Sequence, residues 1–272
     1  MEAPPAARAV VDHYLRVADR LLPDRIVGTY IVGSVALGAY RPDRSDVDVV
    51  TVLDRALSRG ELRRLRAAHV AAGARAGTRS LARGRLNLPG MCNGVFVRAD
   101  DLAKPVSTIV PVASQTGARF AVGRGFDVNP VVWKVLAEAG IPVRGPAPAT
   151  LGLDPEPDRL RSWNLANLDS YWRPWGERTA RGKVRVVHPV RWQVAWGTLG
   201  APRLHHTIAT GGVVSKEAAG EYARDRFGAE WRPVIDAGLA YWRGEPGPRD
   251  TRRVREAGEF VLAVIEDARA LA

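Results

Sequence analysis

Apolar positions recur at helical spacing over residues 6 to 22. Val10, Val11, Tyr14, Val17, Ala18, Leu21 and Leu22 fall on one side with charges on the other, and Pro23 ends the element. The spacing predicts an amphipathic helix leading into a strand over 26 to 32. A second apolar, β-branched run (Val47, Val49, Val50, Thr51, Val52 and Leu53) reads as a buried strand. Helical spacing returns over 57 to 73, followed by a Gly- and Arg-rich linker to about residue 90 and a third strand over 92 to 98. Asn129-Pro130 ahead of VVWKVLAEAG supplies an N-cap, a first-turn proline and a terminal Gly140, so this segment is a helix. Helix and strand thus alternate through this first part.

Gly145-Pro146-Ala147-Pro148 and Pro155 to Pro157 then mark a boundary, and two domains are expected, 1–150 and 151–272. Past the boundary strand signal is scarce and amphipathic stretches follow one another over 158–173, 189–208, 215–226, 230–243 and 250–271, which predicts a helical domain. Trp163, Trp172, Trp175, Trp192 and Trp196 read first as packing between those helices and second as an aromatic wall for a ligand. His205 and His206, adjacent on a helix, point in different directions, so a metal or acid–base pair is not the favoured reading.

Composition narrows the class. A chain of 272 residues can bury one large core or two smaller ones, and 46% hydrophobic with 25% charged residues is ordinary for a soluble globular protein. The one cysteine, Cys92, excludes an internal disulfide and a cysteine-based zinc site. With no signal-peptide core and no apolar run of membrane-spanning length, a cytoplasmic chain without a membrane partner is expected. The net charge of +11 attracts polyanions, including nucleotides and nucleic acid. Its arginines are nevertheless scattered, dense only at 59–66 and 249–255 on expected helix faces. Nucleic acid is therefore possible but not the favoured partner.

The chemistry concentrates in residues 32 to 53. Asp46 and Asp48 stand two apart at the start of a strand, so they share a face. Like charges that close stay ionised together only with cations between them, and paired carboxylates with room for phosphate oxygens suit Mg²⁺. Gly33 and Ser34 end the preceding strand, where a Gly-Ser turn lets backbone N–H groups approach a phosphate closely. The plainer alternative makes Asp46 a cap and Asp48 an exposed strand end. The two motifs joined between hydrophobic strands are far more specific than either alone.

Gly33-Ser34, eleven residues, then Asp46-Val47-Asp48 resembles the signature of the nucleotidyltransferase superfamily of the DNA polymerase β type. Arg203-Leu204, the stretch 209–227 and Trp231-Arg232-Pro233-Val234 extend the resemblance to the aminoglycoside adenylyltransferases of the streptomycin and spectinomycin (3'')(9) type. That resemblance implies an α+β N-terminal nucleotidyltransferase domain, a mixed sheet flanked by helices, followed by an all-α helical domain closing the nucleotide and acceptor cleft. It also implies Mg²⁺ on Asp46 and Asp48, ATP as co-substrate, and AMP transfer to a hydroxyl of a small molecule by a monomeric antibiotic-resistance type of enzyme. Gly33, Ser34 and Ser45 would bind the nucleotide, and Arg203 and Lys216 would contact its phosphates. Ser215 suits an N-cap and Lys216 a first-turn donor; the alternative for Lys216 is a solvated surface residue.

One departure stands out. The family carries a glutamate base on the strand beside the two aspartates, and the corresponding position is Asn93, whose amide cannot accept a proton. Asp101, eight residues along at about 3.3 Å each, would be on the order of 26 Å away if the strand continued. Two further readings follow: a nucleotide-binding module with little transfer activity, motivated by Asn93, and nucleotidyl transfer onto RNA, motivated by the charge. The charge also argues against a polycationic acceptor, which seeks an acidic pocket.

Overall fold

The computed structural model describes residues 2–82, 91–183, 189–247 and 249–271, and the chain divides into two compact units, Met1–Pro157 and Asp158–Ala272. In the first, helix α1 (Pro5–Leu21) starts on a proline, tolerated where the N–H has no intrahelical partner. Its buried Ala7, Val11, Tyr14, Leu15 and Ala18 recur three or four apart and turn one stripe inward. Strand β1 (Ile26–Ile31), the helical turn α2 (Gly33–Ala36), strand β2 (Val47–Leu53), helix α3 (Arg59–Ala82) and strand β3 (Cys92–Arg98) follow. Short strands β4 (Ala113–Thr116) and β5 (Arg119–Val122), helix α4 (Pro130–Ala139) and strand β6 (Ile141–Arg144) complete the unit.

These strands form one mixed sheet in the order β5-β4-β3-β2-β1-β6, as the fold class required. Only β2 and β3 run parallel; every other neighbouring pair is antiparallel. The central strand β2 is buried on both faces, with Val47, Val50 and Leu53 fully buried and Asp48 alone in the strand half-buried. Burying each such side chain is worth about 1.5–3 kcal/mol, so Asp48 sits on a rigid platform. The Tyr14 hydroxyl donates to Gln115 Oε1 at 2.8 Å, and Gln115 Nε2 donates to the Cys92 carbonyl at 2.9 Å, which ties α1 and β4 to the start of β3.

The elements depart from the predicted ones in two ways. Helix α3 continues to Ala82, so the first part of the expected linker is helical, and residues 83–90 lie outside the described residues. Strands β4, β5 and β6 were not predicted. Each has four residues, too few for a period-two pattern, and β6 carries Pro142, which an edge strand tolerates because its N–H need not pair.

The second unit is helical, and no strand occurs among its described residues: α5 (Pro157–Asn167), a π-helical turn (Leu168–Trp172), α6 (Arg173–Ala180), α7 (Val190–Thr210), α8 (Lys216–Arg226), α9 (Arg232–Arg243) and α10 (Arg252–Ala270). The helix predicted to stop near 173 runs on to Ala180. Pro174 lacks an N–H and crowds the preceding turn, and the wider π turn ahead of it absorbs the misfit. Helix α7 is the centre of this core, packed by α8, α9 and α10. The buried indoles of Trp172 and Trp175 abut Gly200 and Gly197 of α7, where any side chain would collide with them. Among the described residues, no helix is long and apolar enough to cross a membrane.

Candidate active site

The β1–α2–β2 segment builds the first half of the site. Val32 N donates to the Asp48 carbonyl at 2.9 Å, locking the end of β1 to the start of β2. Gly33 follows with φ +61°, and a Cβ there would collide with Asp48 Oδ2, so a glycine is required for this carboxylate to lie against the turn. Ser34 is the next residue of α2. Ser45 is buried; its Oγ accepts from Arg41 N at 3.2 Å while its own N–H donates to the Arg41 carbonyl at 2.7 Å. It closes the turn that delivers Asp46.

The parallel register of β2 and β3 supplies the second half by placing Asn93 opposite Asp48. Asn93 Nδ2 donates to Asp46 Oδ2 at 3.0 Å, and Asn93 Oδ1 accepts from Gly117 N at 2.8 Å. Asp46, Asp48, Gly33 and Asn93 are therefore brought together as the spacing required. Burial pushes the Cys92 thiol up, and the charges of Asp48 and Asp46 push it further. Asn93 is more than a missing carboxylate: its donor end orients Asp46, a contact that glutamate at this position could not make when ionised.

Asp127, in the loop before α4, was not singled out from the sequence. Burial first, and then the negative charge of Asp48, raise its pKa to about 6. In sequence it is indistinguishable from an ordinary turn acid ahead of the Asn129 cap, and only the fold brings it to Asp48. Asp101 is excluded from the site. Strand β3 ends at Arg98, and the buried Asp101 carboxylate in the following 3₁₀ turn accepts from Arg98 at 2.8 and 2.9 Å and from Lys104 at 2.6 Å.

Among the described residues no three His, Cys, Asp or Glu side chains are placed to hold a metal together. Two carboxylates are the donor set that Mg²⁺ takes when phosphate oxygens and water complete its shell. The room that Gly33 leaves against Asp48 Oδ2 fits that use.

The second unit carries the other predicted residues. Arg203 of α7 donates through Nε to the Val214 carbonyl at 3.2 Å. Ser215 caps α8 by accepting from Ala218 N at 3.2 Å, as expected, and Lys216 begins the helix. Lys216 is half-buried, and its Nζ lies 4.5 Å from the Trp242 ring centre and 5.5 Å from that of Trp196, which in turn stacks on Trp192 at 5.0 Å.

His205 and His206 diverge. His205 is fully buried, with Nε2 2.6 Å from Asp267 Oδ2 and Nδ1 2.8 Å from the Tyr222 hydroxyl, whereas His206 Nδ1 lies 3.1 Å from the Gly212 carbonyl. Burial lowers the pKa of His205 despite Asp267. The folded state then holds this proton less tightly than the unfolded chain, so the contribution is complete above about pH 6.5 and is lost as pH falls through the lower folded value. Thermal unfolding should show the melting temperature of wild type dropping between pH 7.5 and 5.5, with a shallower drop for His205→Gln. Parallel pH profiles would contradict this assignment.

Residues 13–78 match the family model described as nucleotidyltransferase domain, and residues 184–267 match aminoglycoside adenylyltransferase, C-terminal domain. The first segment holds Gly33, Ser34, Asp46 and Asp48; the second holds Arg203 and Lys216. The fold is similar to the crystal structure of spectinomycin adenyltransferase AAD(9) from Enterococcus faecialis with ATP and spectinomycin. The TM-score is 0.69 at 13% identity, covering 95% of this chain and 98% of that one. Comparison with curated proteins finds no match.

Proposed function

We propose that this chain, which belongs to the nucleotidyltransferase family and carries the C-terminal domain of the aminoglycoside adenylyltransferases, transfers AMP from Mg·ATP to a hydroxyl of a cationic, aminoglycoside-like small molecule and releases pyrophosphate. The observation that carries the reading is the meeting of Asp46, Asp48 and the Gly33 turn across Asn93. Asp46 and Asp48 hold Mg²⁺, Asn93 keeps Asp46 oriented, and Gly33, Ser34 and Ser45 shape the turn toward the phosphates. Bound Mg²⁺ supplies neutralisation of the charge that develops on the leaving pyrophosphate. Arg203 and Lys216 add positive charge for the phosphate chain.

The net charge of +11 is a property of the whole chain and does not by itself exclude a cationic acceptor. Exposed charges more than a Debye length from the site, about 8–10 Å, are largely screened, so the net charge says little about the acceptor pocket. The similar AAD(9) structure holds ATP and spectinomycin, which supports the same substrate classes here. The test is pyrophosphate release with Mg·ATP, with and without a panel of streptomycin, spectinomycin and other aminoglycosides. Acceptor-dependent release supports transfer. Tight Mg·ATP binding without release on any acceptor would favour the nucleotide-binding module for which the Asn93 amide is the motive.

Lys216→Ala should weaken ATP binding by about 1.5–3 kcal/mol, the loss of one charge-assisted contact, which is roughly 10- to 150-fold in Kd. The lost contact with Trp242 and Trp196 should cost the second unit only about 0.5–1 kcal/mol. Calorimetric titration of nucleotide, beside a thermal melt, separates the two. Unchanged affinity would confine Lys216 to packing.

A further inference from the structure

A line of hydrogen bonds runs from helix α3 to the carboxylate pair. His69 of α3 is buried, and its Nε2 lies 2.8 Å from the Gly117 carbonyl; a carbonyl only accepts, so Nε2 carries the proton and donates. Gly117 N in turn donates to Asn93 Oδ1 at 2.8 Å, and Asn93 Nδ2 donates to Asp46 Oδ2 at 3.0 Å. Each link has one sense. The Gly117 N–H can meet only the oxygen of the Asn93 amide, which leaves the NH₂ end for Asp46. A reversed amide would set donor against donor at Gly117 and oxygen against oxygen at Asp46.

The position of Gly117 therefore decides which end of Asn93 faces the aspartate, and strand pairing alone does not fix that position. The β3–β4 register runs from Phe96 and Ala113 to Gly94 and Gln115, one residue short of Asn93. Gly117, at φ +56°, is the first of the two residues that join β4 to β5, and β5 is the outer strand of the sheet with no buried residue. Helix α3 steadies this hairpin twice. Besides the bond to Gly117, the His69 ring packs tilted against Phe120 of β5, with ring centres 6.4 Å apart.

We propose that His69 is a positioning residue for the Mg²⁺ site, seating the β4–β5 turn so that Asn93 presents its NH₂ end, and not its oxygen, to Asp46. The inference rests on the assignment of Asp46 to the metal made above. A neutral amide steadies the carboxylate without adding charge, and losing or reversing it leaves Asp46 less ordered before the metal arrives, at a cost to metal affinity.

The test compares wild type with three variants: His69→Phe, which keeps a ring but has no donor, His69→Asn, too short to reach the same carbonyl, and His69→Gln, whose amide can still donate to it. Two quantities are read on variants shown by thermal melt to be folded. One is amide exchange of Gly117 by NMR in the protein without ligands; the other is the Mg²⁺ concentration that half-saturates ATP binding, by calorimetry. A group supporting a metal ligand typically contributes about 10- to 100-fold in metal affinity, and His69 stands one link further out. His69→Phe and His69→Asn should therefore raise that concentration roughly 3- to 10-fold and quicken Gly117 exchange about tenfold. His69→Gln should stay within about twofold of wild type in both. A role through Asn93 has a signature that general loosening lacks: in an Asn93→Ala background, His69→Phe should leave the Mg²⁺ requirement unchanged, since the link it supports is already gone. Wild-type Mg²⁺ dependence or wild-type Gly117 exchange in the Phe and Asn variants overturns the proposal, as does a loss that simply adds to that of Asn93→Ala. Rapid exchange of Gly117 in wild type overturns it without any variant. A wild type whose ATP binding ignores Mg²⁺ removes the metal assignment itself, and the role of His69 falls with it.

Discussion

Asp46→Asn and Asp48→Asn should each abolish the Mg²⁺-dependent part of ATP binding and reduce AMP transfer by about 10³-fold or more. Metal stabilisation of transition-state charge is worth several kcal/mol, and about 4 kcal/mol corresponds to three orders of magnitude in rate. Both substitutions preserve shape. Asparagine at 46 still offers an oxygen to Asn93 Nδ2, and asparagine at 48 still fits against Gly33, so the fold should survive while the charge is lost. Calorimetry with and without Mg²⁺ on folded variants reads the effect directly. A variant that keeps wild-type affinity in Mg²⁺ would remove its aspartate from the metal site.

Gly94→Ala should strongly destabilise the first unit. Gly94 sits beside Asn93 with φ +149°, and a Cβ there would overlap the carbonyl oxygen of Val49 on β2. Backbone strain of about 1–3 kcal/mol adds to about 1–3 kcal/mol of overpacking, because the parallel β2–β3 pair would have to separate. That sum is a large part of the 5–15 kcal/mol by which a domain is usually stable. It should lower the melting temperature by roughly 10 °C or more. Gly123→Ala is the matched control: φ is +66° but nothing lies near its Cβ, so only about 1–2 kcal/mol of left-handed strain is expected. Equal melting of the two variants would show that β2 and β3 are not held as closely as described. Any folded Gly94→Ala should also bind Mg·ATP poorly, since the register joining Asp48 to Asn93 is what it disturbs.

Much of this arrangement was legible in the sequence because the strongest signals are local. The Gly33-Ser34 turn and the Asp46/Asp48 pair flank one connection between two strongly apolar strands, and the long helices declare themselves by period. Asn93 was correctly placed on the strand beside Asp48, but what its amide does depends on Asp46 and on Gly117 from the β4–β5 hairpin, neither of which a linear pattern links to it. Strands β4 to β6 are short and lie toward or at the edges, where tertiary pairing rather than alternation decides. Asp127 and the Trp242–Lys216 contact lay hidden for a related reason. Each is an unremarkable residue locally and acquires a partner only through a turn of the fold.

AMP transfer can be read by mass spectrometry of the acceptor after incubation of the chain with ATP and Mg²⁺. An acceptor drawn from streptomycin, spectinomycin and related cationic compounds should become heavier by one adenylyl group, in step with an equal amount of pyrophosphate. Asp48→Asn should produce neither. Unmodified acceptors across the whole panel with Mg·ATP demonstrably bound, or transfer that proceeds equally well in Asp48→Asn, would contradict AMP transfer at this site.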